Sequence, residues 1–246
     1  MKQLVVFLLL SIAGLYFLHA ADLSEKARIA EEAYNNANYE TALSLYGEIE
    51  QQGGSFALYY NIGNTYFKTA DYAKAKLYYL RAQRIKPSDK EIAHNLNSVE
   101  MRLTDSIKSK ELSGLLNIWQ TVKYIFGFNF LMLITAAVWL TIAALLVFKR
   151  SFKQSRILPA CVVIVIMITG IAVVRITEYS RVSYILTAPE TEVYSEPLDT
   201  SAKIFTIHAG VQFSVKAVKG EWRQIVLKNG YRGWMKTPPA GIYERI

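Results

Sequence analysis

Cysteine is almost missing from this chain: Cys161 is the single one among 246 residues. One thiol cannot close an intramolecular disulfide, and no cysteine cluster can hold zinc or an iron–sulfur centre. Histidine is nearly as scarce, with His19, His94 and His208 too far apart in sequence to offer metal-ligand spacing. A glycine-rich loop opening a helix, which could cradle phosphate, is lacking, and so is a serine-centred nucleophile elbow. The reading is a non-enzyme, with no catalytic residue, metal or cofactor expected and with His94 and His208 as solvated surface residues.

Acidic residues give out in the middle of the chain. Residues 112–182 hold seven Lys or Arg against one acidic residue, whereas residues 21–110 balance at 12 and 12 and residues 183–246 stand at 8 and 6. The formal net charge of +8 therefore gathers around two uncharged apolar runs, Phe130–Phe148 and Ile157–Val174. A nucleic-acid footprint would need a basic face on a folded module, so no nucleic-acid partner is expected. Each run is about long enough to cross a hydrocarbon core of roughly 30 Å as a helix. This predicts a transmembrane hairpin of spans 129–148 and 157–175. The loop 149–156, with Lys149, Arg150, Lys153 and Arg156, is placed in the cytoplasm by the positive-inside rule. Cys161 falls inside the second span.

The first twenty residues have one cation, Lys2, then an apolar run from Leu4 to Leu18, the layout of a secretory signal peptide over 1–20. Leu18 or His19 stands where a small residue is usual for cleavage. A Lys2-inside orientation exports the chain downstream of it, which puts both flanking modules in the periplasm of a bacterial inner-membrane protein with two spans. In residues 113–128, Leu115, Ile118, Trp119, Val122, Ile125 and Phe126 share one helical stripe, the pattern of an interfacial helix in contact with membrane lipid. An extension of the first span, or a packing helix, is the other reading.

Residues 22–105 read as helical and repetitive. From Phe56 to Asp89, the positions Tyr59, Ile62, Gly63, Tyr66, Tyr72, Ala75, Tyr79, Ala82 and Pro87 have the spacing of a 34-residue tetratricopeptide (TPR) unit. Gly63 and Ala75 let two helices approach closely, the tyrosines fill the space between them, and Pro87 ends the second helix. Tyr39, Ala42 and Tyr46 precede Tyr72, Ala75 and Tyr79 by 33 residues and mark an earlier, degraded copy that closes at Gly53-Gly54. A third helix, from Asp89 to about Leu103, has Leu96 at the position of Ile62 and should cap the stack.

The inner face of such a stack predicts the partner-binding residues: Tyr60, Asn61, Asn64, Phe67 and Lys68, then His94, Asn95 and Arg102. Asn61 and Asn95 lie 34 residues apart, so they hold equivalent places in successive units. A ladder of side-chain amides can satisfy an extended peptide backbone. The alternative is that the asparagines are solvated or bonded within the helix pair.

After Arg175 the period becomes two. Val193, Ile204–Ile207, Val211–Val215 and Trp222–Leu227 read as short strands, and Asn229-Gly230 is a two-residue hairpin signal. Tyr194-Ser195-Glu196-Pro197, Ala209-Gly210, Gly220-Glu221-Trp222 and Gly233-Trp234-Met235 make residues 183–246 resemble a bacterial SH3-type barrel. Such domains often bind cell-wall peptides or proteins, which makes Tyr194, Trp222 and Trp234 candidate contacts; completing a small core is the other role open to them.

The expected fold class is thus a multidomain membrane protein: an all-α TPR solenoid, a two-helix transmembrane hairpin and a small all-β SH3-like barrel. This order, with Ala57-Leu58-Tyr59-Tyr60-Asn61-Ile62-Gly63-Asn64 in the TPR pair, resembles the BatE-like TPR proteins of the Bacteroides aerotolerance (Bat) operon. The resemblance implies an envelope scaffold working with membrane-anchored von Willebrand A-type partners and a MoxR-type ATPase in stress tolerance. A cell-wall anchor that binds peptidoglycan through the barrel is the alternative function.

Overall fold

In the computed structural model the described residues are 22–105, 107, 182–236 and 243–246, with isolated helical positions at 136, 137, 139, 169 and 170. Five helices come first: α1 within 22–35, then α2 (Tyr39–Glu50), α3 (Phe56–Lys68), α4 (Tyr72–Ile85) and α5 (Lys90–Glu100). Their starts are set by short polar side chains that accept otherwise orphaned backbone N–H groups. Asn38 caps α2 and Asp71 caps α4, while Ser55 caps α3 and Asp89 caps α5. The two capping pairs recur at the repeat spacing, so α1/α2 and α3/α4 are successive hairpins and α5 opens a third unit.

Packing obeys the spacing. A Cβ added at Gly63 would lie 2.6 Å from the Tyr79 ring, so only glycine lets α3 and α4 come this close. Ala75 and Tyr79 are buried with Ala82, Ile92 and Val99 in the core that α4 shares with α5. Ala42 and Tyr46, their counterparts in the degraded copy, are buried against Leu58 and Ile62. α4 stops at Ile85, two residues short of Pro87, as a residue with no N–H and a fixed φ requires.

The second module is a seven-stranded antiparallel sheet of β1 (Tyr184–Leu186), β2 (Glu190–Tyr194), β3 (Lys203–His208), β4 (Gln212–Lys219), β5 (Trp222–Leu227), β6 (Arg232–Lys236) and β7 (Tyr243–Arg245), ordered β3-β2-β6-β5-β4-β1-β7. Alternate residues face inward and enclose Leu186, Val193, Ile207, Val211, Phe213, Ile225, Leu227 and Met235. The β5–β6 turn departs from the two-residue hairpin read from Asn229-Gly230. Leu227 N–H donates to Tyr231 O and Gly230 N–H to Leu227 O, so the loop holds three residues, with Gly230 at φ 91° and Asn229 Oδ1 accepting from Tyr231 N–H. Three-residue hairpin loops place glycine at this left-handed site.

The expectation of a two-helix transmembrane hairpin in the fold class is corrected here. Among the described residues no helix is long and apolar enough to cross a membrane. α4, with 14 residues, carries Lys74, Lys76, Arg81 and Arg84, whereas a crossing helix needs about 20 apolar residues. The described fold is a TPR-like helical stack with an SH3-like antiparallel sheet, and no transmembrane hairpin is shown among the described residues. The expected signal peptide (1–20), interfacial helix (113–128), loop (149–156) and, apart from the five isolated positions, spans 129–148 and 157–175 lie outside the described residues.

The two modules touch. Leu77 of α4, Ile185 of β1 and Ile246 form one buried cluster. Around it Arg81 donates to Arg245 O at 2.8 Å and Arg84 to Ile246 O at 2.6 Å. Lys76 Nζ donates to Gly210 O at 2.8 Å and pairs with Glu100 at 2.7 Å.

Candidate functional site

Two surfaces gather the residues singled out by sequence. On the inner face of the stack, α3 supplies Tyr60, Asn61, Asn64, Phe67 and Lys68. α5 supplies His94 and Asn95, and Arg102 lies in the turn beyond it. Lys68, His94 and Arg102 are exposed; the others are half-buried. The sheet docks on α4 and on the segment after α5.

The amides tie neighbouring helices together. Asn64 Oδ1 accepts from Tyr79 Oη at 2.7 Å and from Asn95 Nδ2 at 3.4 Å, joining α3, α4 and α5. Asn61 hydrogen-bonds the Tyr46 hydroxyl, whose pKa burial pushes up and this bond pulls back. Asn61 thus reaches the tyrosine of the preceding helix, whereas Asn95 reaches Asn64, which already accepts from Tyr79. Part of their bonding capacity is spent inside the stack. Among the described residues the Asn64 amide donors and the Asn95 carbonyl oxygen have no partner, which leaves both a donor and an acceptor for a peptide backbone.

Aromatic and cationic groups bound this amide strip at both ends. Phe67 meets Tyr72 edge-on at 5.6 Å, and the Arg102 guanidinium lies 4.8 Å from the Phe67 ring centroid while donating to Ser98 O at 2.7 Å. At the other end Phe56 stacks on Tyr60 at 6.1 Å, and Tyr60 Oη donates to Glu91 at 3.3 Å. Apolar walls with central amide groups suit an extended segment carrying bulky side chains.

The second surface is on the sheet. Tyr194 is the cross-strand partner of Trp234, Trp234 of Gln224, and Trp222 of Lys236. Directly paired residues share a face, so Tyr194, Trp234 and Trp222 all stand on the outer face of β2, β6 and β5. Trp222 is only 8% exposed, yet it is no member of the aliphatic core. It is covered by Tyr194, edge-on at 5.4 Å, and by Lys236, 5.7 Å from its ring. Ion pairs frame the ledge: Lys203 with Glu192 and Lys236 with Asp199, each at 2.7 Å. Glu192 also accepts from Tyr194 Oη at 2.6 Å, and that bond raises the Tyr194 pKa.

His208 is half-buried: its N–H donates to Asp105 Oδ2 at 2.7 Å and its ring Nδ1 lies 3.1 Å from the same carboxylate. Asp105, with Lys76 and Gly210, was invisible to periodicity. Lys76 occupies a helix position that reads as a solvated cation, and the segment after α5 has no repeat to mark it. Among the described residues no group of three or more His, Cys, Asp or Glu could hold a metal ion.

Comparison with protein families matches each module separately. Residues 56–89 match the tetratricopeptide repeat, and residues 187–238 match the bacterial SH3 domain. A search of the curated proteins gives no match. The chain thus carries a tetratricopeptide repeat and a bacterial SH3 domain, and similarity at this level points to protein–protein interaction or cell-wall binding.

Proposed function

We propose that this protein is a non-catalytic scaffold of the bacterial envelope that captures an extended segment of a protein partner in the groove between α3 and α5. The observation that carries the reading is the strip running from Tyr60 through Asn64 and Asn95 to Phe67 and Arg102, in which amide donors and acceptors lie between aromatic walls. The stack and the sheet are in contact, so both belong to one compartment, and we place them in the periplasm. For the partner we propose membrane-anchored von Willebrand A-type proteins of a Bat/MoxR assembly linked to stress tolerance. The support for this finer assignment is the order of TPR and SH3-like modules that the chain has in common with Bat-operon TPR proteins.

The test is affinity recovery from envelope extracts with the full chain and its Asn61→Ala plus Asn95→Ala variant, after circular dichroism has shown both folded. Recovery of the von Willebrand A-type protein should fall about tenfold, the effect of roughly 1.4 kcal/mol in lost backbone hydrogen bonds. Undiminished recovery removes the groove from the function. A second reading, peptidoglycan binding by the sheet, is favoured by the outward-facing Tyr194 and Trp234, which Trp222 supports from beneath Tyr194 and Lys236, because aromatic faces stack on sugar rings and peptide side chains. It requires the chain to sediment with purified sacculi at low salt and Trp234→Ala to release it.

A further inference from the structure

α5 carries Asn95 and leads into Arg102, two of the groove's polar groups, yet it buries only Ile92 and Val99 fully. A short helix at the end of a stack has neighbours on one side alone, and its last turn leaves carbonyls without intrahelical partners. In this protein the last turn is held both from α4 and from the sheet. Glu100, the final residue of α5, pairs with the Lys76 ammonium, which also donates to Gly210 O. Leu103 lies in the space that a side chain at Gly210 would fill, where a Cβ would meet Leu103 Cδ2 at 2.5 Å. Asp105 accepts the His208 N–H, and Ile107 packs against the sheet's core. Leu103, Asp105 and Ile107 therefore tie the cap helix to the β3–β4 turn and the sheet's core. Burial lowers the Lys76 pKa and Glu100 opposes that shift, which marks a cation withdrawn from water to make this junction.

We infer that the docked SH3-like sheet positions α5 and so completes the peptide groove, with Asp105 and Ile107 as the positioning residues. This rests on the groove proposed above. With these ties released, α5 keeps only its contacts with the stack and opens more often, as weakly buried elements do. Arg102 then leaves the face of Phe67, and Asn95 leaves Asn64. α3 is unaffected because α2 and α4 enclose it. The groove would lose one wall while the other stayed in place, and affinity for an extended segment would track the integrity of the junction.

Native-state hydrogen exchange on the full chain, without ligand, tests this with two variants. Asp105→Ala removes the acceptor for His208 N–H, and Ile107→Ala removes the side chain packed against the sheet's core, while both leave the Lys76–Glu100 pair of the stack in place. In both, protection of the α5 amides should fall about tenfold, while α2, α3, β5 and β6 keep theirs and so report an intact fold. Recovery of the protein partner should drop alongside. Unchanged α5 protection in both variants overturns the inference. Reduced α5 protection with undiminished partner recovery upholds the positioning of α5 by the sheet and removes the groove function instead.

Discussion

Between α3 and α4 the stack is packed with tyrosine, whereas the sheet encloses Leu186, Val193, Ile207, Val211, Phe213, Ile225, Leu227 and Met235. Tyr66 stacks on Tyr78 at 5.6 Å, Tyr59 lies 6.1 Å from Tyr78 and Tyr60 6.4 Å from Tyr79. The hydroxyls are used too: Tyr78 donates to Glu50 at 2.9 Å and Tyr79 to Asn64 at 2.7 Å. A tall ring can span the gap between helices and end on a polar group of the next one, so the tyrosines fix the spacing and the rotation of the hairpins together. The sheet has no such need. Its backbone ladder sets the geometry, and mostly aliphatic side chains around Phe213 fill the interior. Stability in the stack is therefore linked to the ionisation of its buried tyrosines.

The largest expected effect sharpens that difference through pH. Burial pushes the pKa values of Tyr46, Tyr66, Tyr78 and Tyr79 above the ordinary 10. Above about pH 10 the unfolded chain loses these protons while the folded stack keeps them, so the native state binds more protons and stability falls as pH rises. The contribution of each tyrosine is whole below pH 10 and is lost as pH climbs through its raised folded value, at up to about 1.4 kcal/mol per pH unit. Residue-resolved hydrogen exchange across this range should show α3 and α4 opening ahead of β5 and β6. Simultaneous opening would break the comparison.

Truncation at matched sites comes next. Tyr79→Ala should cost about 3–5 kcal/mol, because it leaves a cavity at the Gly63 crossing and strips Asn64 of its shorter hydrogen bond. Tyr79→Phe separates the two causes and should cost about 1–2 kcal/mol from the bond alone. Ile225→Ala in the sheet should cost about 2–5 kcal/mol with no polar component. Urea unfolding monitored at the stack and at the sheet gives each value. A Tyr79→Phe variant as stable as the parent would mean that the hydroxyl contributes nothing.

The stack was legible because its constraints repeat. Gly63, Ala75 and Tyr79 are read from spacing, and the structure places them at the close crossing that spacing demands. The sheet was legible in its longer strands. β1 and β7 have three residues each, too few to display a period of two. Asn229-Gly230 announced a turn but not its length, since the dipeptide suits both two- and three-residue loops. The membrane hairpin rested on the composition of two apolar runs, and the described helices are amphipathic ones with charged faces. The junction between modules carried no signal, because a buried Lys76 and an exposed lysine are the same letter. The candidate residues of both surfaces fell where register put them, yet the internal bonding of Asn61 and Asn64 needed tyrosine hydroxyls from another helix, a relation that no local pattern encodes.

The smallest effect concerns how the two modules turn corners. After α1 and after α3 the chain passes through left-handed backbone at Ala37 (φ 59°) and Ala70 (φ 60°), whereas the sheet puts glycine at its own such positions, Gly210, Gly220 and Gly230. Ala70 N–H donates to Phe67 O and Asp71 N–H to Tyr66 O, and Ala37 and Asn38 repeat the pattern with Tyr34 and Ala33. This is the double bond of a Schellman helix end, whose left-handed residue is usually glycine. An L residue there costs roughly 1–2 kcal/mol, and both alanines are exposed, so replacing them sacrifices no packing. Glycine adds about 0.5–1 kcal/mol of unfolded-state entropy against the gain. Ala70→Gly should therefore raise stability by about 0.5–1 kcal/mol, read as a higher urea midpoint at constant slope, and Ala37→Gly should add to it independently because the two turns share no partner. Gly230→Ala should shift the midpoint the opposite way. If Ala70→Gly lowers the midpoint instead, the alanine turns are not the strained corners of the stack, and the contrast with the glycine turns of the sheet falls.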